Sequence, residues 1–179
     1  MSEDFVVVAE TKRFLGREFL TWLVHRIEEG GGRISRPEGE VEVHLGDRVT
    51  LEGPGKGERL TLSGPGDLRA ELGAGLRRGK LLDRAHLIVR RGERRWELLL
   101  DGGTFTVGAL RCPPLGERDG GDPRAAFEND LFLRLADVEE ALGVLDLLFA
   151  DFCRLRASRA WQHETLPALR AWVDGLTPA

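Results

Sequence analysis

The chain has few of the features that mark exported, disulfide-linked or membrane-spanning proteins. Its 179 residues include only two cysteines, Cys112 and Cys153, and no apolar run approaches the roughly 18–20 residues that a membrane-spanning helix needs. The first residues, MSEDFVVVAE, carry acids where a secretory signal carries positive charge, so we expect no export. We therefore predict a cytoplasmic protein without membrane association, whose two cysteines are free thiols packed as small hydrophobic side chains.

The sequence also lacks the usual patterns of catalytic, metal and phosphate sites. His25, His44, His86 and His163 lie far apart, and none shares metal-ligand spacing with a cysteine or a carboxylate, so each is interpreted as an ordinary surface or hydrogen-bonded histidine. GPGKGE at residues 53–58 does not match the phosphate-loop pattern and is not followed by a helix, which favours a flexible hairpin loop. No nucleophile motif is present. We predict no enzymatic activity, no cofactor and no metal site.

Hydrophobic and charged residues make up 41% and 31% of the chain, a composition typical of a soluble globular protein. The β-branched run at residues 4–9 predicts a strand, and Thr11 can cap a helix from about residue 12 to 29. Apolar residues recur in this helix at spacings of three and four and predict its buried face: Leu15, Phe19, Trp22, Leu23 and Ile27. Gly30 to Gly32 end the helix.

The middle of the chain is typical of antiparallel hairpins. Residues 40–53 alternate in hydrophobicity around Gly46 and Asp47, which predicts a hairpin with its turn there. Residues 57–64 add a strand, and residues 66–80 read as a helix. Three further strands follow, with turns at residues 91–93 and 101–103.

The last third of the chain is helical in pattern. Residues 113–123 have the composition of a linker, the next segment is nearly continuous helix broken near Asp137, and residues 164–176 form a terminal helix. We predict an α+β fold, with an antiparallel sheet of sequential hairpins, an N-terminal helix, a mid-chain helix and a long C-terminal helical section. Its parts are a hairpin-rich α+β domain (1–112), the linker (113–123) and the helical section (124–179), packed on the same domain.

Charge is distributed unevenly along the chain. From Arg69 to Arg111 there are ten basic residues against five acids, whereas from Glu117 to Asp151 there are ten acids against three arginines. Such segments form opposite faces of one domain, or pair with each other inside an oligomer.

Part of the basic segment has the pattern of a surface that follows a phosphate backbone without reading bases. Three cations lie at the end of the mid-chain helix, where they also complement the helix dipole, and four arginines flank one hairpin turn. No groove-reading motif accompanies them. The candidate DNA-binding residues are Arg77, Arg78, Lys80, Arg90, Arg91, Arg94 and Arg95.

Two successive stretches of the chain resemble the middle of the recombination-associated protein RdgC family: RFLGREFLTWLVHRIEEGGG and then VEVHLGDRVTLEG. That family has an F-L-G-x-E-F-L-T-W-L helix, followed by a strand with G-D-R or its equivalent. The later section of the family is similar to a further stretch of this chain, LRRGKLLDRAHLIVRRGERRWELLLDGGTFTVGALRCP. Residues 125–156 match the C-terminal helix of the family in kind. The resemblance runs from about residue 11 to 157, is most specific at residues 14–23, and does not include the family's N-terminal portion.

The resemblance implies a nucleoid-associated protein without enzymatic activity, which forms ring-shaped dimers around duplex DNA and restrains RecA-promoted strand exchange. Duplex DNA bound without sequence preference and recombination proteins are the partners that it implies. The alternative is an interaction or adaptor module that keeps the fold and binds a protein, with the acidic helix from Glu128 to Asp151 as its face.

The chain itself also predicts a homodimer, because its long helix has apolar residues on more than one face. These residues are Phe127, Leu131, Phe132, Leu135, Val138, Leu142, Leu145, Leu148, Phe149 and Phe152.

Overall fold

In the described part of the chain, an antiparallel sheet of six strands lies against four α-helices, which confirms the predicted α+β fold. The computed structural model describes residues 12–35, 39–53, 55, 57–64, 68–116 and 123–176. The strand predicted at residues 4–9 and the cap predicted at Thr11 lie outside these residues.

Helix α1 spans Lys12–Gly30, close to the predicted range. Its apolar face is buried as the spacing predicts, with Phe19 and Leu23 fully buried and Trp22 5% exposed. Gly31 and Gly32 follow with positive φ angles, which glycine adopts without the steric cost of a β-carbon. The three glycines therefore end the helix and turn the chain toward the sheet.

The strands are β1 (Arg33–Ile34), β2 (Val41–Glu52), β3 (Arg59–Ser63), β4 (Leu81–Arg91), β5 (Arg94–Asp101) and β6 (Thr106–Arg111). Their order is β1-β2-β4-β5-β6, and β3 pairs with the second half of β2 on the same edge as β1. The two predicted turns between β4, β5 and β6 are confirmed.

The hairpin predicted within residues 40–53 is wrong, because β2 runs through Gly46 and Asp47 as one strand. Its pairing with β4 shifts between Leu45 and Val49, where three residues of β2 lie opposite the single residue His86. The His86 ring lies over Gly46, and a β-carbon there would come within 2.3 Å of His86 Nδ1. The Gly-Asp pair thus marks a bulge instead of a turn.

The remaining helices are α2 (Leu68–Arg77), α3 (Pro123–Arg156) and α4 (Leu166–Gly175), with a π-helical turn at Trp161–Thr165 before α4. The break predicted near Asp137 is wrong, since α3 continues through it for 34 residues. Asp137 lies within the helix, and Arg94 Nη1 at the start of β5 lies 3.6 Å from its carboxylate.

The core lies between one face of the sheet and the helices. Val89 and Trp96 are cross-strand partners on that face and are fully buried. From the helical side, the Phe152 ring lies 5.6 Å from the rings of both Phe19 and Trp22. The second half of α3 therefore belongs to the core, whereas residues 124–140 of its first half include no buried side chain.

Candidate functional site

The segment that carries the most specific family resemblance serves packing in this structure. Gly16 lets α1 approach the β5–β6 turn so closely that a β-carbon there would lie 2.2 Å from the Gly102 carbonyl oxygen. Arg17 forms ion pairs with Glu52 and with the buried Asp83, the latter at 2.8 Å. These contacts tie α1 to two strands and to the β5–β6 turn, so this segment positions α1 on the sheet.

The face of the sheet opposite the helices is accessible, and we call it the open face. Alternate residues of β4 and β5 project to it, because successive side chains of a strand point to opposite faces. The charged residues of β4 and β5 on the open face are Arg84, Arg90, Arg95, Glu97 and Asp101. Along each strand the open-face residues alternate with buried residues.

Arg90 and Arg95 are the two predicted DNA-binding residues that lie together on the open face. They are direct cross-strand partners, and both side chains are exposed. Like charges placed opposite each other in a sheet are destabilising. Glu42 lies in register beside Arg90, and Arg95 donates to Glu97 over 2.6 Å. The pair therefore concentrates positive charge at one end of this face, with single carboxylates beside it.

Arg91 and Arg94 lie on the opposite face, where they meet the middle of α3. Arg94 is paired with Glu140 and lies 3.6 Å from Asp137, and Arg91 lies 3.8 Å from Glu140. The basic and acidic segments thus pair within one chain, which is neither of the arrangements that the sequence suggested. These two arginines anchor the long helix to the turn between β4 and β5.

The three predicted cations near the end of α2 are separated from the open-face pair and serve different contacts. Arg77 donates to the backbone carbonyl oxygens of Val173 and Leu176 over 3.0 and 2.8 Å and so caps the end of α4. Lys80 donates to the Glu58 carbonyl oxygen over 3.2 Å. Arg78 is exposed. The seven predicted residues therefore do not form one surface.

Sequence reasoning missed other arginines of the open face. Arg33 is the cross-strand partner of Glu42, and Arg111 that of Glu97, so both share the face of Arg90 and Arg95. Arg84 also lies there and donates to Asp101 over 2.7 Å. Burial opposes ionisation of Asp101, but hydrogen bonds from Thr104 and Arg84 hold the pKa of this carboxyl below its usual value. The period of two along each strand was the signal that could have found these residues.

A groove of about 240 Å³ crosses the open face near the β2 bulge, and Arg48, His86 and Arg111 line it. His86 Nδ1 lies 2.7 Å from Asp47 Oδ1. This hydrogen bond lowers the pKa of the Asp47 carboxyl. The hydrogen bond holds the imidazole ring in place within the groove.

No group of histidine, cysteine, aspartate or glutamate side chains suited to a metal ion occurs within the described ranges. Of the helices in the described part of the chain, none is long and apolar enough to cross a membrane.

Comparisons with protein-family models, with curated proteins and with solved structures found no match.

Proposed function

We propose that this chain is a non-catalytic, RdgC-like protein that binds duplex DNA without sequence preference through the open face, acts as a homodimer, and modulates recombination. The observation that carries the proposal is the cross-strand pair Arg90 and Arg95, exposed on a sheet face that also presents Arg33, Arg84 and Arg111. The family resemblance of residues 14–23 supports the same function.

The ion pairs on the open face do not remove these arginines from phosphate binding. The side chains of Arg95 and Arg111 are 48% and 81% exposed, and both pair with the single carboxylate of Glu97. Exposed ion pairs contribute only about 0–1 kcal/mol each. The phosphates of a duplex can therefore replace Glu97 as the partner of these two arginines. Arginines that touch only phosphates carry no sequence information, which fits binding without sequence preference.

The first half of α3 supports self-association. Phe127, Leu131 and Leu135 are 66%, 49% and 51% exposed, and they start a stripe that continues through Val138 and Leu142. Farther along α3, the same spacing of three and four reaches Leu145, Phe149 and Phe152, which pack in the core. A stripe that repeats every 3.5 residues on average is the pattern of helices that pair with other helices. A second copy of α3 would cover the exposed part of this stripe.

The DNA-binding experiment compares charge-neutralising pairs that change net charge equally. We expect Arg90→Gln with Arg95→Gln to weaken binding to several unrelated duplexes alike, by about tenfold or more, since charge-assisted hydrogen bonds contribute about 1.5–3 kcal/mol each. The control is Arg159→Gln with Arg170→Gln, two exposed arginines of the C-terminal helical section, which should bind like the native chain. Fluorescence anisotropy of labelled duplexes gives the dissociation constants. Equal weakening by both pairs would contradict an open-face site.

A protein-binding or adaptor function is the second candidate, and the exposed stripe on α3 favours it. Light scattering separates it from the homodimer. A native chain that is monomeric at micromolar concentration and does not bind duplexes at low salt would favour a different protein as the partner of α3.

A further inference from the structure

A cavity of about 570 Å³ lies on the helical side of the molecule, away from the open face. Its lining comes from the second half of α1, the end of β1, the end of α3, the π-helical turn and the start of α4. Cavities of 300–1,000 Å³ hold small molecules in proteins, and π-helical turns are frequent at functional sites. Nothing in the proposed DNA-binding function uses this cavity.

Charged side chains from different elements line the cavity. Glu29 of α1, Asp151 of α3 and Glu164 of the π-helical turn are acidic, and Arg26 is the basic residue in the lining. Asp151 also pairs with Arg154, outside the lining. The lining charge of three carboxylates and one guanidinium is therefore −2, which favours a cationic ligand over an anionic one. Because the carboxylates come from separate elements, they suit a ligand with more than one cationic group.

The imidazole of His25 provides a second, independent observation. Its side chain is only 4% exposed and lines the cavity, yet Nδ1 has no hydrogen-bond partner among the described residues. Nε2 faces Glu29, with 3.2 Å between Nε2 and Glu29 Oε1. Buried polar groups are nearly always hydrogen-bonded, so the unpartnered Nδ1 of an imidazole that lines a cavity indicates a missing donor or acceptor.

His25 does not offset the acidic lining at neutral pH. Burial lowers the pKa of its imidazole below the usual value, so the ring is neutral. A neutral imidazole has one unprotonated nitrogen, which accepts a hydrogen bond. An ammonium group has three donors and no acceptor, and it meets the requirements of both the imidazole and the carboxylates.

The cavity wall between the charged groups is partly apolar, with Ser35 and Thr165 as its other polar residues. Ile34, Leu155 and Ala168 contribute to it, together with Trp22. Aliphatic carbons of a ligand would pack there, with the ends of the ligand near the carboxylates.

We propose that this cavity binds an aliphatic polyamine. Its ammonium groups pair with Glu29, Asp151 and Glu164, its alkyl chain packs against Leu155, and one of its donors reaches His25. The proposal does not depend on DNA binding, and it assigns the helical side of the molecule a ligand of its own.

Titration calorimetry of the full chain with putrescine and spermidine, without DNA, tests the proposal. We expect saturable binding at one site per chain and no binding of succinate, a dianion of similar length. Glu164→Gln should weaken spermidine binding about tenfold or more, as expected for loss of a charged hydrogen-bond acceptor. The matched control is Glu139→Gln, an exposed acid of α3 outside the cavity, which changes net charge equally and should leave the affinity unchanged.

A second measurement locates the site on the native chain. The imidazole proton resonances of His25 should shift on addition of putrescine and saturate at the concentration that saturates the calorimetric signal, whereas those of His86 on the open face should not. Absence of saturable binding, equal weakening by the Glu164 and Glu139 variants, or an unmoved His25 resonance would each overturn the proposal.

Discussion

At the scale of single residues, Gly16 and Gly143 show that the absence of a side chain has different consequences in two helices. Gly16 lies against the backbone of Gly102, whereas a β-carbon at Gly143 of α3 would meet no atom within 4 Å. Gly16 is therefore needed for contact between α1 and the β5–β6 turn. Gly143 only adds backbone freedom to the unfolded chain.

The two glycines yield a matched prediction. Gly16→Ala should lower the free energy of unfolding by about 1–3 kcal/mol, because the new methyl group forces α1 away from the sheet. Gly143→Ala should leave that free energy unchanged or raise it by up to about 1 kcal/mol, since alanine is the better helix former. Urea denaturation of both variants measures the two changes. A Gly16→Ala variant as stable as the native chain would contradict the close approach of α1.

A second prediction at this scale concerns the buried His25, whose ring lies 5.3 Å from the Trp172 ring. Burial lowers the pKa of this imidazole in the folded chain, while in the unfolded chain it stays near 6.5. Below pH 6.5 the unfolded chain therefore binds more protons at this residue. The stability that neutral His25 contributes is complete above pH 6.5 and is lost as the pH falls.

His25→Phe keeps an aromatic ring beside Trp172 but removes the titration. Urea denaturation at pH 7 and pH 5 measures the free energy of unfolding of both proteins. The free energy of the variant minus that of the native chain should be larger at pH 5 than at pH 7. The native chain and the variant differ only at residue 25, so a change with pH in the difference between their free energies of unfolding reports this side chain. A difference in stability that is the same at both pH values would show that burial does not lower this pKa.

At the scale of elements, α3 has two halves with different roles. The half that includes Leu145, Leu148 and Phe152 is buried in the core, and the half that starts at Phe127 exposes its apolar stripe. At about 1.5 Å per residue, the 34 residues of α3 span about 51 Å, longer than one small domain can cover. Arg91 and Arg94 hold the helix near the boundary between the halves.

The exposed half of α3 yields a prediction on assembly. The native chain should be a dimer by light scattering at micromolar concentration, and Leu131→Glu should convert it to a monomer, because the charge would be buried unpaired in the pair of helices. Leu147→Glu is the control, since Leu147 is 38% exposed on α3 but lies off the stripe. Dimers of the Leu131 variant as stable as those of the native chain would place the interface elsewhere.

Elements with a strong local pattern were predictable from the sequence, and those set by distant contacts were not. Helix α1 and the β4–β5 hairpin follow from their apolar spacing and their glycine turns. The bulge in β2 could not be predicted from local pattern, because it depends on His86, forty residues farther along the chain from Gly46. A Gly-Asp pair has the same local pattern in a turn and in a bulge.

The candidate site was predicted only in part, for a related reason. Charge clustering identified the arginines around residues 90–95, but strand alternation divides them between two faces. Val89 and Trp96 are apolar, so the sequence already contained the signal that assigns Arg91 and Arg94 to the covered face. Their pairing with Asp137 and Glu140 depends on how α3 packs, which no local pattern indicates.

At the scale of the whole molecule, the two sides of the sheet differ in character. The covered side holds the core, the ion pairs that anchor α3, and the acidic cavity beside His25. The open face presents Arg33, Arg84, Arg90, Arg95 and Arg111, and the carboxylates of Glu40, Glu42, Glu97 and Asp101 lie beside them. Although the chain has a net charge of −4, the pair Arg90 and Arg95 concentrates positive charge at one end of this face.

The salt dependence of duplex binding tests this account most directly. The affinity of the native chain should fall linearly with salt on a log–log plot, and Arg90→Gln with Arg95→Gln should make that slope shallower by about 1.8, at about 0.9 for each lost phosphate contact. The control pair Arg159→Gln with Arg170→Gln should keep the native slope. Absence of duplex binding at low salt with micromolar protein, or a slope that the open-face pair does not change, would contradict the account.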